Sequence, residues 1–416
     1  MGGIPLKQNS TYVSKYGNIY LEPDADSYYP GDSVTGNIYL NLHTRFPGKT
    51  IQLRIKGKEM IWSQPTTDST EYIQEKNIVF DKKFTFDLEK PGDVLEAGQY
   101  QIPFCFLLPE GIPGTCNYIE TRLGASIMYT LSASLLPKDS TTSIEFNYKR
   151  PLLVHETPVR VEDIPEQFPI PVKSCWGCMN NGFSLISVSL NKLAFLPSNE
   201  ILITLSIDNT KCSKPVHDLT LELRQRITLK GKKVSHSRNY VIAQKSTNTG
   251  ELAGESPELA TISFLLPKVT PVDPYESMHF DKARDKALTN SDELGCTSKG
   301  LLIQSEFFVE VTANVEGTCV SNTPKYIFPL QILHPSYNFP KLDPPKNWKP
   351  AIQPVANLAI ALSPEYADLS TSKRVAMSSS WGSSPTKMSG TSQKKIDLDT
   401  SRENFSGNYI LYNESK

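Results

Sequence analysis

The chain has almost no net charge: 43 Lys and Arg stand against 44 Asp and Glu over 416 residues, a balance of −1. Without a positive field, nucleic acid is not expected as a partner. There is no apolar run long enough to span a bilayer, because proline or charge cuts each one short. The opening MGGIPLKQNSTY lacks the apolar core of a secretory signal, and Leu6 stands where a myristoylation signal wants a small hydroxyl residue. Cysteine is sparse and odd in number, seven in all, so most thiols are expected free and the compartment reducing and cytoplasmic. Enzyme signatures are missing too. Neither H-E-x-x-H, G-x-S-x-G, a P-loop nor G-x-G-x-x-G after a strand occurs, so neither a catalytic residue nor a cofactor is expected.

Helical periodicity is equally scarce, and what fills the chain instead is alternation. Ile19 and Leu21 alternate, a Pro-Gly-Asp turn follows at Pro30–Asp32, and Val34, Ile38, Leu40 and Leu42 resume the period of two. Residues 50–62, 82–88, 99–109 and 125–136 continue it, separated by Pro and Gly clusters. That pattern predicts an all-β chain built as antiparallel sandwiches. The plan then repeats. YYPGDSVTGNIYL (28–40) aligns with FLPSNEILITLSI (195–207), setting Pro30 on Pro197, Val34 on Ile201, Ile38 on Leu205 and Leu40 on Ile207. FCFLLP (104–109) returns as ISFLLP (262–267), and the strand around Tyr129 returns around Phe308. Three matched segments in one order predict a tandem repeat of one sandwich.

The expected division is an N-terminal segment 1–11, a first sandwich 12–155 and a Pro-rich linker 156–178. A second sandwich spans 179–335, interrupted by a charged insertion at 268–300, and a Pro/Ser-rich disordered tail covers 336–416.

The motifs YYPGDSVTGNI (28–38) and GQYQIPFCFLLPEGIPGT (98–115), with the Asp208–Cys212 turn and the Leu223–Gln225 strand, resemble arrestins. The cysteines ahead of the second repeat are similar to the α-arrestin, or arrestin-domain-containing, branch. The resemblance covers residues 12–335. It implies two immunoglobulin-like sandwiches (E-set type) and an adaptor, not an enzyme. Expected partners are the cytoplasmic regions of membrane receptors or transporters, in endocytosis, protein trafficking or signalling. Expected localisation is cytoplasmic, with peripheral association at the plasma membrane or endosomes. A coat or sorting subunit of a retromer-like complex is the alternative. Many α-arrestins recruit WW-domain ubiquitin ligases through P-P-x-Y in the tail. Here the nearest match is Ser363, Pro364 and Tyr366, with serine in place of the first proline, which weakens the grip of a WW groove on both prolines and the Tyr.

Other candidates are local. Cys175 and Cys178 form a C-x-x-C, but a zinc site needs a second ligand pair and none has the spacing; two packed thiols at the end of the linker is the ordinary reading. Lys230, Lys232, Lys233, His236 and Arg238 cluster around Gly231. The ordinary reading is a solvated hairpin; the functional one is contact with phosphate or an anionic membrane surface. Ser363 and Ser384, each followed by proline, are candidate phosphorylation sites in an accessible tail.

Overall fold

The structure is a computed structural model that describes residues 13–65, 71–89, 92–120, 122–139, 146–158, 167–173, 180–214, 216–248, 258–267, 295–315, 325–335, 337, 339 and 347–367. Alternating β-branched, aromatic and polar residues set strands with one wet and one dry face. In the N-terminal half β1 (Val13–Ser14), β2 (Gly17–Pro23), β4 (Ser33–Leu42) and β7 (Gly98–Leu107) form one sheet in that order. The facing sheet runs β3 (Ser27–Tyr28), β10 (Phe146–Val154), β9 (Leu123–Leu136), β5 (Thr50–Ser63), β6 (Ile73–Asp87), with β8 (Cys116–Glu120) beside β9.

The C-terminal half repeats this order. One sheet is β11 (Gln167–Lys173), β12 (Asn180–Leu190), β14 (Glu200–Asp208), β17 (Glu258–Leu265). The other is β13 (Ala194–Phe195), β20 (Lys325–Ile332), β19 (Ile303–Val315), β15 (Val216–Lys230), β16 (Ser235–Asn248), with β18 (Ser298–Lys299) beside β19. Even the parallel pairs correspond: β3 with β10, and β13 with β20. The predicted repeat is therefore present strand for strand. Its aligned residues Val34, Ile38, Leu40, Ile201, Leu205 and Ile207 are all buried.

The turn at Pro30–Asp32 also recurs. Asp32 N donates to Tyr29 O at 3.0 Å and Asp32 Oδ2 accepts from Tyr29 N at 2.6 Å. In the second copy Asn199 N donates to Leu196 O at 3.1 Å and its Oδ1 accepts from Leu196 N at 3.0 Å. Gly31 has φ +87° and Ser198, in its place, φ 69°, so a serine holds the left-handed position in the repeat.

Two expected boundaries need correcting. Part of the expected linker 156–178 is β11, which pairs antiparallel with β12 through Phe168↔Ile186 and Ile170↔Ser184; the second sandwich starts at Gln167, not at 179. Phe168, Ile170 and Val172 point into its core, which is why the extended Pro-rich stretch becomes a strand. The start of the expected disordered tail is ordered as well. β21 (Ala351–Ile352) and β22 (Ala356–Leu358) add in parallel to β7, and one helical turn follows at 364–367. Residues 368–416 lie outside the described residues.

Candidate functional site

The two sandwiches meet along a seam in which carboxylates of the first bind backbone amides of the second. Glu59 is the deepest. The inward register of β5 carries Ile51, Leu53 and Ile55, then after a bulge at Gly57/Lys58 places Glu59 at 0 % exposure. Its Oε1 accepts from Leu302 N at 2.7 Å and Ile303 N at 2.6 Å, and its Oε2 from Leu301 N at 3.0 Å. Three successive amides thus cradle one carboxylate, an anion nest completed across two domains. A fourth donor arrives from far away: Tyr366 Oη donates to Glu59 Oε2. Burial pushes the Glu59 carboxyl above its usual range, against the pull of Tyr366 and the three amides. A Cβ on Gly300 would strike Glu59 Oε1, so the turn can approach only because glycine stands there.

Glu75, on β6, repeats the device at the β15–β16 turn. It accepts from Lys232 N (2.6 Å), Lys233 N (2.8 Å) and Val234 N (3.0 Å). Desolvation raises the Glu75 pKa, but these amides and the Lys232 charge outweigh it and hold the carboxyl below its usual range. Lys233 Nζ lies 3.3 Å from Glu71. Arg238 pairs with Glu120, and His236 Nε2 lies 3.4 Å from the same carboxylate. Beside them the hydroxyls of Tyr118 and Tyr240 meet at 2.8 Å. Of the basic cluster, Lys232 and Lys233 meet carboxylates of the first sandwich through their backbone amides, and Lys233, His236 and Arg238 through their side chains. Lys232, Lys233 and Arg238 stay exposed to solvent. Lys230 alone of the five bonds within its own domain, to Gln304 Oε1 at 3.0 Å. The physical reason is charge complementarity: Glu71, Glu75 and Glu120 face the hairpin, which the sequence does not place together.

The third contact surrounds Glu156. Its Oε2 accepts from Gly114 N at 3.0 Å and Lys299 N at 2.7 Å, while its backbone oxygen accepts from Gln331 Nε2 at 2.6 Å. Ser298 Oγ donates to Gly114 O at 2.8 Å and Cys296 Sγ to Thr115 O at 2.8 Å. So the end of the insertion expected as a surface loop (295–300) is part of the seam. Apolar packing is continuous through it: Ile227, Leu229, Val234, Leu302 and Ile303 join the core of the first sandwich.

Arg150 lies beside the seam, 1 % exposed, in the inward register of β10. It meets Asp26 Oδ1 at 3.2 Å and lies 4.4 Å over the Phe339 ring, so a desolvated cation is held by one carboxylate and one aromatic face. His155, at the end of β10, stacks beside Tyr29 at 5.0 Å. Burial, with His334 nearby, pushes its pKa down to about 4 despite Asp32. Burial also holds His334 below its ordinary range.

The remaining candidates are placed as follows. Cys175, Cys178 and Ser384 lie outside the described residues. The tail motif is not an open WW ligand: Tyr366 is 0 % exposed and bonded to Glu59, and Ser363 N is tied to Val79 O at 2.9 Å. Tyr366 goes inside because a buried acceptor is waiting for its hydroxyl. Ser363 is half-buried, not freely accessible. Sequence reading missed Glu59, Glu75, Glu120, Glu156 and Arg150. For Glu59 and Arg150 a signal existed, a charge in the inward register of an alternating strand; for the others there was none.

Among the described residues no three His, Cys, Asp or Glu side chains group as metal ligands, and no helix is long and apolar enough to cross a membrane. What the seam can do is hold two domains in one geometry.

Comparison with known proteins gives concordant matches. The family model for the N-terminal domain of arrestin (or S-antigen) matches residues 17–156, and that for its C-terminal domain residues 180–337. Arrestin domain-containing protein A of Dictyostelium discoideum is 25 % identical over 227 residues, 51 % of this chain and 38 % of that protein. An arrestin domain-containing protein of Schizosaccharomyces pombe is 28 % identical over 127 residues, 28 % of this chain and 21 % of that one. The matched region thus spans well under half the length of either relative.

Proposed function

Because this chain belongs to the arrestin family, with an arrestin N domain and an arrestin C domain in tandem, we propose that it is an adaptor that docks the cytoplasmic parts of membrane proteins and passes them to the trafficking machinery. The observation that carries the reading is the seam. Two sandwiches are joined through carboxylate–amide anchors, chiefly Glu59 and Glu75. Such a frame presents loops and sheet edges in a fixed relation, which suits recognition of a partner spanning both domains. Work by docking also accords with the absence of enzyme signatures from the sequence.

The test is proximity labelling in cells with the intact chain and with a chain ending at Ala367. The cut belongs there and not at Pro335, because residues 347–367 are packed on the first sandwich. Membrane receptors or transporters enriched by both, and trafficking factors lost from the shorter chain, are expected. Labelling of soluble bystanders alone by the intact chain would overturn the reading. A ligase link through Ser363–Tyr366 would require that segment to leave its seat first.

A further inference from the structure

Two cysteines face each other across the seam. Cys116 opens β8 on the first sandwich, and Cys296 stands two residues before β18 on the second. They are 0 % and 4 % exposed, and both are free thiols. The Cys296 thiol donates to Thr115 O at 2.8 Å, and the Cys116 thiol lies 3.7 Å from Cys296 O. Each sulfur therefore reaches the main chain beside the other. The two segments pass in opposite directions: Ser298 Oγ donates to Gly114 O at 2.8 Å, and a Cβ on Gly295 would lie 3.8 Å from Asn117 O. That crossing sets Cys296 opposite Cys116.

The repeat pins both cysteines. β8 beside β9 and β18 beside β19 are counterparts in the two copies, and the same clamp stands just ahead of each. Thr115 N donates to Val154 O at 2.6 Å, while Thr115 Oγ1 accepts from Val154 N at 2.9 Å. Thr297 N donates to Ile332 O at 2.8 Å, while Thr297 Oγ1 accepts from Ile332 N at 2.8 Å. One cysteine directly follows its threonine and the other directly precedes it. Each threonine is tied to the last residue of a core strand, β10 or β20, so neither sulfur retreats without breaking those bonds. Glu156 adds a tie to Gly114 N and to Lys299 N, one on each side of the crossing.

Thiols in contact can be joined with little backbone movement. The neighbouring Cys296 thiol, and then burial, push the Cys116 thiol well above its usual range. The closed seam thus keeps Cys116 protonated, and its reaction waits for a local opening that admits water and oxidant. We propose that Cys116 and Cys296 are a modification site, a reversible disulfide that bolts the two sandwiches together, with a small disulfide such as glutathione disulfide as the oxidant. In an opening, the thiolate of one cysteine attacks the small disulfide, giving a mixed disulfide and one released glutathione. On closure the second cysteine attacks that same protein sulfur. The internal S–S bond forms and the second glutathione leaves. The two protons and two electrons of the protein thiols end on two molecules of glutathione. Excess reduced glutathione runs the steps backwards. The bond joins positions 180 residues apart, one on each sandwich, so it shuts a seam that hydrogen bonds and packing alone let open. Such a latch needs no assumption about what the chain docks.

The test uses the full chain, incubated under native conditions with glutathione disulfide, then blocked with an alkylating reagent and digested for mass spectrometry. A peptide pair linked through Cys116 and Cys296 is expected, and reduced glutathione should return both to thiols. Hydrogen exchange at the Lys299, Leu302 and Ile303 amides, which bond to Glu156 and Glu59, should slow at least about tenfold in the oxidised chain. The same oxidant should leave those amides unchanged in Cys116→Ala and Cys296→Ala chains. Glutathione attached to either cysteine without the internal bond overturns the proposal. So does oxidation of half-buried Cys105 with Cys116 and Cys296 still free, since that is how inert core thiols behave. A linkage that leaves exchange at the seam as it was sinks the latch. Where an alanine variant fails to fold, the wild-type linkage and its reversal decide by themselves. The disulfide can form where cell labelling finds no cargo, and the reverse, so the two readings fail separately.

Discussion

His155 shows how one buried ring acquires a pH consequence. In the unfolded chain it titrates near the ordinary value of about 6.5, and in the fold burial and His334 push it down to about 4. The folded state therefore binds fewer protons between those values, so stability is full above about pH 6.5 and falls as pH drops towards 4. The loss amounts to about 3 kcal/mol at its limit, and buried His334 adds in the same direction. Urea unfolding of wild type and His155→Gln, at about pH 7 and about pH 5, is expected to show a shallower decline in the variant; parallel declines would exonerate His155. Ser198 makes the opposite case. Its φ of 69° costs about 1 kcal/mol in a residue with a Cβ, and Gly31 holds the same place in the first copy. Ser198→Gly is expected to raise the denaturation midpoint by the equivalent of about 0.5 kcal/mol after the extra chain entropy of glycine. That serine was legible only through the repeat, because nothing local asks for a left-handed residue.

Among elements, the β15–β16 hairpin separates strong from weak electrostatics. Its tip is held by three backbone amides on Glu75, while its lysine side chains hold little: Lys233 and Glu71 are each more than 60 % exposed at their ion pair. Exposed pairs contribute about 0–1 kcal/mol and are screened by salt. Glu75→Ala should accelerate amide exchange at Lys232, Lys233 and Val234 at least about tenfold, whereas Lys233→Ala should leave it nearly unchanged. Equal effects would put the anchorage in the side chains after all. The strands themselves were readable wherever alternation is clean, as in β4, β5 and β9. β6 was seen only from residue 82 although it starts at Ile73, because its first half is polar and its fit depends on β5 alongside. β11 read as linker for the same reason: two prolines in QFPIPVK hide an alternation that only a partner strand reveals.

In the whole molecule the seam makes two repeats behave as one body. Apolar residues of the second sandwich sit in the core of the first, and Glu59, Glu75 and Glu156 fix the approach. One calorimetric transition is expected for the intact chain. Removing Glu59 leaves the buried Leu302 and Ile303 amides without their acceptor, at about 1–3 kcal/mol each, and removing Glu75 frees the exposed tip of the β15–β16 hairpin. The Glu59→Ala, Glu75→Ala chain should then melt in two transitions, one for each sandwich. A single transition, merely lowered, would mean that apolar packing alone couples the domains.

The sequence alone determined that this is an all-β chain, that one sandwich is used twice, and that its motifs are those of arrestins. Periodicity and repetition are local or self-referring signals, written in consecutive residues. Only the tertiary structure decided where the two copies touch, that the basic hairpin is closed onto acidic residues, and that Tyr366 is buried on Glu59. Those facts join positions 116 to 307 residues apart. Each depends on an acceptor, desolvated at Glu59 and partly wet at Glu75, finding its donors across the two domains, which no stretch of neighbouring residues encodes.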